Sequence, residues 1–168
     1  FFSNCGRYVV VFNGEIYNYK ELKREISNSD TFWKTSGDTE LLIEAFKKWG
    51  KDCLLKFNGM FSFVIWDLFE NTLFGARDRL GKKPFYYHKS DGFIFSSTIK
   101  AINELKSENR ISEQSLRYYL ELGYLPKEHT IYDDIKQLEP GSCFIFKDNK
   151  LEISNYWSVN NFLVDKSL

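Results

Sequence analysis

Residues 7–22 read RYVVVFNGEIYNYKEL and predict a strand, a turn and a helix in close succession. The first six residues are mostly β-branched or aromatic and apolar on both faces, which is typical of a buried strand. Asn13-Gly14 then predicts a tight turn, because both residue types tolerate positive φ. Asn18, with Glu21 three residues later, is a helix-start signature, and a helix of about two turns should follow.

Farther along the chain, a second helix is predicted from Asp38 to a stop at Gly50, with an apolar stripe along one face. The periodicity then changes to that of strands, at residues 60–67, 72–78, 84–88 and 93–96. Turn signals separate these four strands. They are therefore expected to form an antiparallel meander.

Two helices and a hairpin are predicted in the last third of the chain. One helix begins near Ile99, and another lies between Ser112 as N-cap and Gly123, with Leu116, Tyr119 and Leu120 facing inward. Residues 143–147 and 150–157 should pair as a hairpin. We expect one domain over residues 1–159, followed by a frayed tail or the start of a linker over residues 160–168.

The composition is that of a globular protein. Of 168 residues, 43% are hydrophobic and 18% aromatic, with only 10 Gly and 3 Pro, which excludes a disordered or low-complexity chain. Lys+Arg and Asp+Glu are both 23, so no net charge favours nucleic acid or an anionic membrane. The apolar runs are far shorter than the ~20 residues of a membrane span.

The cysteine and histidine content argues against a disulfide framework or a metal site. The 3 Cys are odd in number, far apart and without C-x-x-C spacing, which favours a reducing compartment and predicts a cytoplasmic protein. With only 2 His, a structural zinc site has too few ligands.

Asn13-Gly14-Glu15 is the first candidate site. A carboxamide N–H and a glycine N–H at the end of a strand can together form an oxyanion hole. Taken alone, Asn-Gly is more often a hairpin turn. That alternative loses support here because a helix, and no partner strand, is predicted to follow.

Ser36-Gly37-Asp38-Thr39-Glu40, just before the second helix, is the second candidate site. Gly37 would let a ligand approach the backbone, and the Asp38 carboxylate could hold an ammonium group. Asp38 is also a good helix N-cap, and taken alone capping is the better explanation. The charged run Arg77-Asp78-Arg79 with Lys83 could line a ligand cleft, but a solvated ion-pair cluster is the better explanation.

Several segments in order resemble the glutaminase domain of glutamine-dependent asparagine synthetases, and together they cover essentially the whole chain. They are FNGEIYNY from Phe12, SGDTE from Ser36, LKFNGMFSFVIWD from Leu55, ARDRLGKKPFYY from Ala76, FSSTIKA from Phe95, GYLP from Gly123, LEPG from Leu138, and Tyr156-Trp157.

The resemblance implies an α+β fold of the N-terminal nucleophile hydrolase type, an αββα sandwich of two antiparallel sheets between helix layers. In that family an N-terminal cysteine attacks the side-chain amide of glutamine and releases ammonia through a thioester. By resemblance, Asn13 and Gly14 hold the oxyanion, while Glu15, Gly37 and Asp38 bind the substrate.

The resemblance also implies partners and cofactors. The family passes ammonia to an ATP-using synthetase domain of the same longer chain, which amidates aspartate. ATP and magnesium are expected only there, and no metal or cofactor is expected in this domain. Neither nucleic acid nor a membrane is an expected partner, and a homo-oligomer is compatible with the sequence.

Three departures from the family pattern stand out. The family segment that carries the nucleophile and a carboxylate-binding arginine has no counterpart upstream of Phe1, so we expect this chain to be inactive alone. Cys5 does not align with that nucleophile. Thr98 replaces the usual glutamate of a Ser-Glu-Ile-Lys-Ala segment, which puts a charge contact toward the synthetase domain in doubt.

Two alternative functions remain open. Other glutaminases of this fold serve sugar-phosphate or phosphoribosyl acceptors, but the NGEIYN and KKPFYY segments argue against them. A non-catalytic, aromatic-rich binding module is favoured only by the missing nucleophile.

Overall fold

A computed structural model describes residues 1–28, 32–106, 108–126 and 128–162. In these ranges the strands are β1 Tyr8–Ile16, β2 Gly59–Asp67, β3 Thr72–Arg77, β4 Tyr86–Lys89, β5 Phe93–Ser96, β6 Ile135–Gln137, β7 Ser142–Lys147 and β8 Lys150–Asn155. The α-helices are α1 Tyr19–Ile26, α2 Asp38–Trp49, α3 Cys53–Lys56, α4 Ile99–Asn103 and α5 Glu113–Leu122. Short 3₁₀ helices cover Gly50–Asp52 and Val159–Phe162.

The first strand continues through the predicted turn. β1 extends to Ile16 and pairs with β2 along its whole length, with Asn13 opposite Ser62 and Gly14 opposite Phe61. A Cβ at Gly14 would lie 2.2 Å from the Met60 carbonyl oxygen, so the glycine permits a close approach of two strands. The tight turn predicted at Asn13-Gly14 is therefore wrong.

The strands form two antiparallel sheets. The five-stranded sheet has the order β1-β2-β3-β7-β8, and the three-stranded sheet has the order β5-β4-β6. The predicted β7–β8 hairpin is confirmed. The four-strand meander is wrong between β3 and β4, because the chain leaves the first sheet after Arg77 and enters the second.

Arg77 and Asp78 organise that crossing from inside the protein. The Asp78 carboxylate accepts hydrogen bonds from the backbone N–H groups of Leu80, Lys82 and Lys83. The Arg77 guanidinium donates to the carbonyls of Gly81, Lys83 and Leu138. Both residues are buried, at 6% and 2% exposure, so the prediction of a solvated ion-pair cluster is wrong for them. Burial lowers the pKa of Arg77.

The core has two layers. Phe61, Phe63 and Ile65 of β2 pack with α1 and α2 on one face of the five-stranded sheet. On the opposite face, Val64 packs with residues of the second sheet and its flanks. Helix α4 packs on β4 and β5 and buries Ile102. The layer order is helix, sheet, sheet, helix, which confirms the αββα prediction.

Helix α5 has the predicted ends but not the predicted packing. The Ser112 hydroxyl accepts the Ser115 N–H, and Gly123 ends the helix at φ +76°. Leu116, Tyr119 and Leu120 are 43%, 55% and 75% exposed, so the prediction that they face inward is wrong. The helix buries Ser115 instead.

At the end of the described chain, Val159–Phe162 form a 3₁₀ helix, and residues 163–168 lie outside the described residues. The frayed tail or linker start expected over residues 160–168 stays a prediction. Within the described chain, no helix combines the length and apolarity needed to cross a membrane.

Candidate functional site

Asn13 lies on β1 at the edge of the five-stranded sheet and borders a cavity of about 280 Å³ between the two sheets. Its Nδ2 donates a hydrogen bond to the Ser97 hydroxyl at 3.0 Å. The cavity is mainly apolar apart from Asn13 and three serines. Its lining residues are Val11, Asn13, Ser62, Phe63, Val64, Phe85, Phe95, Ser96 and Ser97.

The N–H of Gly14 faces the open edge of β1. Successive residues of an antiparallel strand direct their N–H groups to opposite sides. Val10 exchanges backbone hydrogen bonds with Phe1 on the outer side, and the Ile16 N–H is also directed outward. Gly14 lies between them in the same alternation, so its N–H points away from β2. A carboxamide donor and a backbone donor therefore occur on adjacent residues at one sheet edge.

Asp38 connects helix α2 to this edge. Its Oδ2 accepts the Ile16 N–H at 3.0 Å. Gly37, not Asp38, occupies the N-cap position, and no side-chain cap bond is formed there. The capping interpretation of Asp38 is therefore wrong, and its carboxylate is held beside the strand that carries Asn13 and Gly14.

Glu15 and Gly37 flank the site. Glu15 is exposed and, two residues from Asn13 along the strand, projects from the same face of β1. Gly37 is also exposed, and a Cβ built on it meets nothing within 4 Å. The backbone at Gly37 is thus accessible, and its part in substrate binding stays a prediction.

A family model described as a glutamine amidotransferase domain matches residues 1–157. The chain belongs to this family. It is similar to asparagine synthetase (glutamine-hydrolysing) 3 of Bacillus subtilis, at 36% identity over 92% of this chain and 26% of that protein. It is also similar to asparagine synthetase (glutamine-hydrolysing) 1 of the same organism, at 34% identity over 91% of this chain and 24% of that protein.

Solved structures give the same fold for this amidotransferase domain. Glutamine phosphoribosylpyrophosphate amidotransferase from B. subtilis matches with a TM-score of 0.64 and 21% identity, over 94% of this chain and 31% of that chain. The amidotransferase domain spans about a quarter of the length of the asparagine synthetases it matches.

The three cysteines of the amidotransferase domain lie away from the cavity lining. Cys5 is exposed in the segment before β1, whereas Cys53 and Cys143 are buried. The Ser3 hydroxyl lies 3.4 Å from the Cys5 thiol, and this hydrogen bond lowers the pKa of Cys5. Burial raises the pKa of Cys53 to about 12.

Ser97 is a site residue that was not predicted from the sequence. Ser97 belongs to the FSSTIKA segment that carries part of the resemblance, and it follows directly after β5. Its position in the short connection between a predicted strand and a predicted helix could have marked it as a candidate site residue. Its partner, however, is 84 residues away in the chain, so only the packing of the two sheets brings them together.

Within the described residues, no group of three or more His, Cys, Asp or Glu side chains is placed to hold a metal ion.

Proposed function

We propose that this domain hydrolyses glutamine and supplies ammonia to an ATP-using synthetase domain of a longer protein that amidates aspartate. The observation that carries the proposal is the pair of adjacent donors, the Asn13 carboxamide and the Gly14 N–H, at the open edge of β1 beside a cavity. Two such donors suit the oxyanion that forms when a nucleophile attacks an amide carbon.

The acidic residues suit the other end of the substrate. Glutamine carries an α-ammonium group. Glu15 is on β1 next to the two donors, and the Asp38 carboxylate, at the start of α2, accepts the N–H of Ile16 on the same strand. A charge-assisted hydrogen bond to the ammonium would orient the substrate. The exposed backbone at Gly37 leaves room for it.

The nucleophile proposed for this reaction is the N-terminal cysteine that the family resemblance implies, and none of the three cysteines in this chain replaces it. The acceptor is proposed to be aspartate because the relatives with 34–36% identity are asparagine synthetases. The likeness to the phosphoribosylpyrophosphate amidotransferase is at 21% identity and supports the fold alone. ATP and magnesium are proposed to act in the synthetase domain, with no metal or cofactor in this one.

Replacement of Asn13 tests the proposal. In the full-length protein, Asn13→Ala removes one oxyanion donor and should lower the glutaminase kcat by about 10²–10³-fold. Ammonia-dependent product formation should persist, because the synthetase reaction does not use this donor. Both rates are measured with glutamine and with ammonium salt as the nitrogen source.

Asn155→Ala is the matched control, since Asn155 is exposed on β8 at the opposite edge of the same sheet. It should retain full glutamine hydrolysis. Unchanged glutamine hydrolysis by Asn13→Ala would remove Asn13 from the mechanism.

A further inference from the structure

We propose that Ser97 is a positioning residue for the oxyanion donor Asn13, an inference that rests on the proposed glutaminase function. The Ser97 hydroxyl accepts a hydrogen bond from Asn13 Nδ2 at 3.0 Å. A carboxamide nitrogen has two N–H groups. One is directed to Ser97, which leaves the other for the oxyanion.

The surroundings of Asn13 make this bond important. Val11, Phe85 and Phe95 supply much of the cavity wall, and they cannot hydrogen-bond the amide. The amide oxygen and nitrogen exchange places by a rotation of about 180° around the terminal bond. An amide that presented its oxygen to the substrate would repel the developing negative charge. In this structure the Ser97 hydroxyl accepts from the amide nitrogen and fixes the place of the amide group, so that the second N–H remains as a donor.

The position of Ser97 in the fold explains how it can do this. Asn13 lies on the edge strand of the five-stranded sheet, and Ser97 directly follows β5, the edge strand of the three-stranded sheet. The hydrogen bond therefore connects the two sheets, between two residues that line the cavity. It connects the donor to a second rigid element as well as to its own strand.

Ser96 provides a control within the same segment. Its hydroxyl also borders the cavity but accepts the Thr98 N–H at 3.1 Å, just before α4. The two neighbouring serines thus have different partners. Only Ser97 contacts the proposed oxyanion donor.

The test compares Ser97→Ala, Ser97→Thr and Ser96→Ala in the full-length protein, with steady-state glutamine hydrolysis as the readout. Ser97→Ala should lower kcat about tenfold, less than the loss expected when the donor itself is removed, because a misplaced donor still contributes. The KM for glutamine should change less than about twofold, since the substrate ammonium contacts remain. Ser97→Thr keeps the hydroxyl and should recover most of kcat, and Ser96→Ala should remain near the wild type.

A double variant separates positioning from a general effect on the fold. On the Asn13→Ala background, Ser97→Ala should cause no further loss of kcat, because the group it positions is already gone. The inference would be overturned if Ser97→Ala lowered kcat about tenfold on the Asn13→Ala background as well. It would also be overturned if Ser97→Ala and Ser96→Ala lowered the kcat of the wild type equally. If Asn13→Ala lowers kcat while Ser97→Ala does not, this inference fails and the proposed function stands. If Asn13→Ala itself has no effect, the proposed function fails first.

Discussion

At the scale of single residues, Asp38 has two separable properties. Its Oδ2 accepts the Ile16 N–H, and its negative charge lies beside the strand that carries Asn13 and Gly14. An asparagine in its place retains an oxygen acceptor for the Ile16 N–H and removes the charge. The contribution to the fold and the contribution to ammonium binding can therefore be measured independently.

Asp38→Asn should raise the KM for glutamine about tenfold, equivalent to ~1.4 kcal/mol, because the charge-assisted contact to the ammonium is lost. The free energy of unfolding should change by less than about 0.5 kcal/mol. Asp38→Ala, which also removes the acceptor, should add a loss of about 1 kcal/mol in stability. Steady-state kinetics and denaturant unfolding give both quantities. A normal KM together with lost stability for Asp38→Asn would show that the residue is purely structural.

Gly14 shows what local sequence can and cannot predict at this scale. Position 14 does require a glycine, as the Asn-Gly dipeptide suggests. It requires one because a Cβ there would lie only 2.2 Å from the carbonyl oxygen of Met60, on a strand more than forty residues away in the chain. A turn and a close strand approach both favour glycine, and the sequence near Gly14 does not distinguish them.

At the scale of elements, Glu40 ties the start of α2 to the segment before it. Glu40 is 2% exposed, and its carboxylate accepts hydrogen bonds from the N–H groups of Lys34 and Thr35 and from the Thr35 hydroxyl. Burial alone would raise the pKa of Glu40, but these hydrogen bonds outweigh it and lower the pKa. These hydrogen bonds also hold in place the chain segment that leads into Gly37 and Asp38.

Glu40→Gln should therefore destabilise the protein in a pH-dependent way. Because the pKa of Glu40 is lowered in the folded state, its stabilisation is present above the unfolded value of about 4.3 and is lost as the pH falls through the folded pKa. We expect a loss of about 1–3 kcal/mol at pH 7. The wild type and the variant should converge in acid. Urea unfolding at a series of pH values measures the difference.

Glu44→Gln is the matched control on the same helix, because Glu44 bonds only the neighbouring Lys47 side chain among the hydrogen bonds of the described residues. Its effect should stay below about 0.5 kcal/mol at every pH. A difference between the wild type and Glu40→Gln that persists unchanged into acid would contradict the assigned role of the carboxylate.

The elements themselves were largely predictable, but their partners were not. The alternation of apolar and polar residues identifies β3 and β4 as strands. The same alternation is expected whether two strands belong to one sheet or to two different sheets. The buried Asp78 carboxylate, which turns the chain between them, looks in the sequence like any charged residue. In α5, periodicity identifies the apolar face of Leu116 and Leu120, but it does not indicate whether another element covers that face.

At the scale of the whole molecule, the candidate site depends on both sheets. Asn13 and Gly14 belong to the first sheet, and Ser97 follows the last residue of an edge strand in the second. The αββα layers were predicted through the family resemblance and not from periodicity. The cavity between the layers arises only from their packing, so Ser97 could not be assigned before the sheets were placed.

The distribution of the cysteines over the molecule leads to a prediction about labelling of this chain. Cys5 is exposed and has a lowered pKa, whereas Cys53 and Cys143 are buried. A general thiol reagent at neutral pH should therefore modify Cys5 first, and Ser3→Ala should slow the reaction by removing the hydrogen bond that favours the thiolate.

A glutamine-like alkylating agent should not label Cys5 in a glutamine-protectable way. Between Cys5 and Asn13 the chain is largely extended, and at about 3.3 Å per residue the two are separated by roughly 20 Å. A nucleophile must instead reach a carbon whose oxygen lies ~3 Å from the oxyanion donors. Intact-mass measurement with and without glutamine, with Cys5→Ser as the control for general labelling, provides the test. Stoichiometric labelling of Cys5 that glutamine prevents would show that this thiol reaches the site and that the assigned separation is wrong.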